Sequence, residues 1–142
     1  MEKIATEIRI MGIDYGEKRI GIALSDPLLT FAYAFTTLQN DSSFLINLSK
    51  IIIEKKIIKI ILGLPSERFK SSKELSQKVL ELKSEIETKN KIEVVLWDEE
   101  YSSVIAKEKI MESVTKKSKR KQKDLLDRHS AAVILQEYLD KK

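Results

Sequence analysis

The chain has 142 residues, 42% of them hydrophobic, and no cysteine, which is enough to bury a core as a single domain spanning 1–142 without disulfide or metal staples. No apolar run approaches the length of a membrane span, and no charged start leads into an apolar signal segment, which argues against a membrane protein and points to the cytoplasm. The net charge is +4, but six of the eight residues from Lys116 to Lys123 are Lys or Arg, so the rest of the chain carries −2 and the basicity is one local patch suited to phosphates.

Residues 8 to 14 and 19 to 25 read as two apolar strands joined by the turn Tyr15 to Lys18, a hairpin rather than a crossover. The first strand ends on Asp14, between Gly12 and Gly16. A carboxylate at the end of a core strand is costly to desolvate unless a cation, donors or water meet it. Asp-x-Gly is also ordinary turn chemistry, so the hairpin alone does not separate a site from an acidic turn.

A third strand is expected at Phe31 to Leu38. Asp41, Ser42 or Ser43 then caps a helix on which Leu45, Leu48 and Ile52 recur at helical spacing. Ile57 to Leu62 is a β-branched run stopped by Gly63-Leu64-Pro65, in the manner of a buried strand followed by a turn. Ser71 and Glu74 have capping-box spacing ahead of Leu75, Val79, Leu82 and Ile86, which predicts an amphipathic helix ending near Asn90. Ile92 to Trp97 is the next strand and again ends on acid, Asp98-Glu99-Glu100. A helix follows from Ser102 or Ser103 to about Val114, and a last helix starts after the basic run and continues to Leu139.

The order βββαβαβαα predicts an α/β fold: a mixed five-stranded sheet with a three-stranded antiparallel start, then βα units, flanked by helices. Ligands in such sheets gather at the carboxyl ends of the strands, where Asp14 and the Asp98-Glu99 pair both stand. On the last helix, at about 100° per residue, Asp127 lies within roughly 20° of Ile134 and Tyr138 and about 40° of Ala131, so it starts on the packed side. The small Ala131 lets that helix approach the sheet closely. His129, Gln136 and Asp140 project roughly opposite, which makes the only histidine a solvated or rim residue and leaves no Ser-His-Asp arrangement.

If Asp14, Glu99 and Asp127 converge with Asp98 beside them, two carboxylates about 5 Å apart at an effective dielectric near 20 repel by roughly 3 kcal/mol, and a divalent cation reverses that sign. Oxygen-only ligands with no His or Cys favour Mg²⁺ or Mn²⁺ over zinc. Such ions activate water and stabilise the leaving oxygen of a phosphodiester, which is nuclease chemistry.

Taken together, Gly12-Ile13-Asp14-Tyr15-Gly16-x-Lys18-Arg19-Ile20-Gly21-x-Ala23-x-Ser25-Asp26-Pro27, Gly63-Leu64-Pro65, Trp97-Asp98-Glu99 and Asp127-x-x-Ser130-Ala131-Ala132-x-Ile134-Leu135 resemble the YqgF/RuvX family over nearly the whole chain. The resemblance implies an RNase H-like fold, and a nuclease that processes the 5' end of precursor 16S ribosomal RNA in ribosome biogenesis, or alternatively a resolvase of Holliday junctions acting on DNA as a dimer. It also implies that Asp14, the Asp98-Glu99 pair and Asp127 are the acidic metal-binding residues, with Asp14, Glu99 and Asp127 catalytic. Two positions depart from the family pattern: Glu100 stands where Arg is usual, and Phe69-Lys70-Ser71 where Asp-Gly-Thr is frequent. Related resolvases place an acid after the strand that here ends in Gly63-Leu64-Pro65, where the first carboxylate is Glu67.

The expected partner is nucleic acid, bound by Lys116, Lys117, Lys119, Arg120, Lys121 and Lys123 next to Asp127, with Lys18 and Arg19 adding contacts from the hairpin. A solvated basic loop is the simpler reading of that run, and a monomer or weak homodimer is expected. No interleaved aromatic pattern for base reading occurs, so recognition rests on backbone or shape. A non-catalytic nucleic-acid-binding module is the alternative from another class, with Glu100 as its motivation.

Overall fold

The computed structural model describes residues 7–65, 73–99 and 119–141; for residues 64–65, 73, 76, 98–99 and 119–128 it describes the backbone alone. One sheet runs in the order β3-β2-β1-β4-β5, built from β1 (Arg9–Asp14), β2 (Arg19–Ser25), β3 (Ala32–Gln39), β4 (Ile57–Pro65) and β5 (Glu93–Glu99). The first three strands pair antiparallel, and β4 and β5 add on in parallel. Helices α1 (Phe44–Glu54), α2 (Lys73–Asn90) and α3 (Lys119–Lys141) complete the described elements. This is the mixed five-stranded sheet expected from the element order. The helix expected from Ser102 or Ser103 to Val114 lies outside the described residues.

Strand alternation sorts the apolar residues onto two faces. Met11, Ile13, Ile22, Ile60, Leu62 and Val94 share a core with Phe44, Leu48 and Ile52 of α1 and Val79, Leu82 and Ile86 of α2. Ile10, Ala23 and Ile61 form the other core with Ala131, Ile134, Leu135 and Leu139 of α3. Each fully buried Ile or Leu contributes about 1.5–3 kcal/mol relative to exposure, so α3 is fixed to its face mainly by this apolar stripe.

Three boundaries differ from the sequence reading. Gly63-Leu64-Pro65 is not a turn: β4 runs through Pro65, because its last residues stay in register with parallel β5 beyond the end of β1, Pro65 opposite Glu99. A proline missing its N–H is tolerated at a strand end. For the same reason β5 extends past Trp97, so Asp98 and Glu99 are its final residues rather than its successors. Helix α3 begins at Lys119, inside the basic run rather than after it. Ser71, expected to cap α2, lies outside the described residues.

Candidate active site

Asp14 closes β1 and is only 6% exposed. It has the parity of Ile10, so it belongs to the face that α3 covers. Its register partners are Gly21 on β2 and Gly63 on β4. Neither register position therefore carries a side chain beside this carboxyl, an arrangement that marks close approach of backbone or ligand in strands. Gly16, in the turn that follows, is required by space: a Cβ there would lie 2.2 Å from the Arg19 carbonyl oxygen.

The approach of α3 is set at Gly12, where a Cβ would lie 2.7 Å from Leu135 Cβ and 2.9 Å from the Ala131 carbonyl oxygen. At the opposite end of the sheet, Gln136 accepts the Ala32 N–H at 2.8 Å and donates to the Thr30 carbonyl at 3.0 Å. The N-terminal half of α3 thus points toward the end of β1 that carries Asp14. From the Gly12 contact, Asp14 is two residues onward, about 6.7 Å along the strand. Asp127 is four residues before Ala131, about 6 Å along the helix. The two displacements are similar in length, and both lead away from the end of the sheet where Gln136 is bonded.

The row Asp14, Gly63, Trp97 crosses three strands, so Asp14 and Trp97 are two strand spacings apart, about 10 Å. Glu99 follows two residues beyond Trp97 on the same strand. Position 99 has the parity of Val95 and Trp97, which pack on the α3 side, and position 98 that of Val94 and Leu96, which pack on the other. The backbones of Asp14, Glu99 and Asp127 consequently share one end of the sheet. The side chains of Asp98, Glu99 and Asp127 lie outside the described residues, as do those of Lys119, Arg120, Lys121 and Lys123 and the whole of Lys116, Lys117, Glu67 and Glu100.

Of the hairpin cations, Lys18 is exposed and Arg19 half-buried. Asn40, which the sequence reading passed over, donates through Nδ2 to the Gly16 carbonyl at 2.8 Å and through its backbone N–H to the Lys18 carbonyl at 3.0 Å. It braces the turn after Asp14, and an Asn just past a strand end was the available signal. His129 is exposed, as its helical position predicted, whereas Gln136 is not free in solvent: its amide reaches over the start of the edge strand β3 and satisfies backbone groups there. Ser130, one turn after Asp127, is fully buried and its Oγ has no hydrogen-bond partner among the described residues.

The donor set fits a hard divalent cation. Every candidate ligand is a carboxylate oxygen, with no His or Cys among them, which suits Mg²⁺ or Mn²⁺.

A family model described as "RuvX: Holliday junction resolvase" matches residues 8–141. A protein of Desulforamulus reducens named "Putative pre-16S rRNA nuclease" is 35% identical, over 94% of this chain and 97% of its own. A protein of the same name from Caldicellulosiruptor saccharolyticus is 38% identical, over the same shares. Among solved structures, Thermus thermophilus RuvC in complex with a Holliday junction substrate superposes with a TM-score of 0.55 at 13% identity, covering 89% of this chain and 91% of its own. The fowlpox virus resolvase with Holliday junction DNA gives 0.55 at 15% identity, covering 94% and 97%. At these identities the two structures establish the shared RNase H-like fold.

Proposed function

The chain belongs to the RuvX family, and from that premise we propose that it is a divalent-cation-dependent nuclease that hydrolyses phosphodiester bonds of precursor 16S ribosomal RNA. The observation that carries the reading is the buried Asp14 between two strand glycines, with the end of β5 and the N-terminal half of α3 directed to the same end of the sheet. Asp14, Glu99 and Asp127 would hold Mg²⁺ or Mn²⁺, with Asp98 beside them. When bound, such an ion lowers the pKa of water and neutralises charge on the leaving oxygen.

The rest of the work belongs to the chain itself. Asp14 is fixed by the sheet and by the helix that crosses at Gly12, so its oxygens need no reorganisation when substrate arrives. The basic run from Lys116 to Lys123 leads into and overlaps the first turns of α3, placing cations a few residues before Asp127. Cations at a helix start work against the helix dipole, and a bound polyanion offsets that cost. Lys18, exposed on the braced hairpin turn, adds a contact to the sugar-phosphate backbone. Recognition is by backbone and shape, in keeping with the lack of an aromatic base-reading pattern.

The family description favours a second reading, resolution of branched DNA. That reaction needs two active sites and so two copies of the chain. Incubating the purified protein with precursor 16S ribosomal RNA and with a four-way DNA junction, in Mn²⁺ or chelator, separates the readings. Cleavage of the RNA alone supports the first, junction cleavage by a sedimenting dimer supports the second, and cation-dependent cleavage of neither contradicts both.

A further inference from the structure

Trp97 is the only tryptophan in the chain and lies two residues before Glu99. Its Nε1–H donates to Glu137 Oε1 of α3 at 2.7 Å. Its ring meets that of Tyr138 edge-on, with centroids 5.5 Å apart at 87°, and the Lys141 ammonium sits 5.8 Å from its centroid. Tyr138 in turn accepts a hydrogen bond from Lys59 of β4 at 3.1 Å. Apolar packing of α3 centres on Ile10, Ala23 and Ile61 of the central strands, with Val95 and Trp97 of β5 packed at its margin. The hydrogen bond from Trp97 adds a directional tie to that marginal packing. It is short, directional and charge-assisted, and it joins the strand that carries Glu99 to the helix that carries Asp127.

We propose that the Trp97–Glu137 pair is a positioning clamp, which sets the spacing between the end of β5 and α3 and thereby the cation affinity of the acidic site; this rests on the reading of Asp14, Glu99 and Asp127 as that site. The geometry separates the clamp from ordinary packing. Glu137 acts as an acceptor, so glutamine at that position keeps the bond and leucine removes it. Trp97 acts as a donor, so phenylalanine keeps the ring against Tyr138 and removes the bond.

The test is calorimetric titration of Mn²⁺ into the substrate-free protein, with circular dichroism recorded in chelator. Trp97→Phe and Glu137→Leu should each weaken Mn²⁺ binding about tenfold, in the range seen for outer partners of metal ligands, while Glu137→Gln binds like the wild type. The double variant Trp97→Phe with Glu137→Leu should be no weaker than either single one, because both remove the same bond. Glu137→Gln preserves size and shape and Trp97→Phe keeps an aromatic ring at the site, so these two carry the comparison even where Glu137→Leu folds poorly. Trp97→Phe with wild-type Mn²⁺ affinity overturns the clamp alone. A wild-type protein with no saturable Mn²⁺ binding overturns the acidic site, and the clamp with it.

Discussion

Gly12 of β1 and Ala131 of α3 meet backbone against backbone, so closely that a methyl on the glycine would lie 2.9 Å from the alanine carbonyl oxygen. Leu135 closes the same gap from the next turn. Neither neighbour is the far end of a flexible side chain, so relief requires the whole helix to move. Gly12→Ala should cost about 1–3 kcal/mol, as overpacking does. It should also lower cleavage beyond the loss of folded protein, since the displaced helix carries Asp127. A urea midpoint equal to that of the wild type would show that the contact is not tight.

Strand alternation on β5 separates two adjacent acids. Position 99 has the parity of Trp97, on the face that Asp14 shares, and position 98 has the parity of Leu96. Glu99→Gln should therefore reduce kcat by two orders of magnitude or more, while Asp98→Asn leaves most of it. Steady-state cleavage at saturating Mn²⁺ distinguishes them, and equal losses would refute the assignment by parity.

The basic run predicts a salt effect. Changing Lys119, Arg120 and Lys121 together to Gln removes up to three phosphate contacts. It should weaken binding to all sequences and make the dependence of log K on log salt shallower by about 0.7 per lost contact on single strands. Fluorescence anisotropy across a salt series measures the slope, and an unchanged slope means that these residues do not touch phosphates.

Much of this was legible in the residues alone. Asp14 stood out because an apolar strand ended on it, and it is buried at the end of β1; the helical phase that puts Asp127 on the packed side concerns a side chain outside the described residues. What escaped was set by pairing rather than by local pattern. Gly63-Leu64-Pro65 has turn chemistry, yet pairing with β1 at Gly63 and with β5 through Pro65 holds it as strand. The glycines that flank Asp14 across the sheet, Gly21 and Gly63, are distant in sequence and become neighbours only through register. Gln136 reads as solvated from its helical angle, and only the edge position of β3 gives it backbone groups to satisfy.

The turn between β2 and β3 supplies a pH dependence. Asp26 Oδ1 accepts the N–H groups of Phe31 and Thr30, each at 2.8 Å. The Phe31 bond is the largest cause and, helped by that of Thr30, holds the carboxyl below its ordinary value of 3.8 against burial, which is second in size and acts in the opposite direction. A carboxyl depressed in the folded state stabilises above its unfolded value, and that contribution is lost as pH falls through the lower folded one. Between about pH 5 and pH 2 the wild type should therefore lose more stability than Asp26→Asn, by urea unfolding at each pH. Parallel losses in the two proteins would assign the acid sensitivity elsewhere.

The most direct measurement is cleavage of precursor 16S ribosomal RNA by the wild type and by Asp14→Asn, each in Mn²⁺ and in chelator. The buried carboxylate predicts that the wild type cuts only with the ion, and that Asp14→Asn folds and binds RNA but does not cut. Cleavage by Asp14→Asn at the wild-type rate, or by the wild type in chelator, would contradict a cation-dependent site built on Asp14.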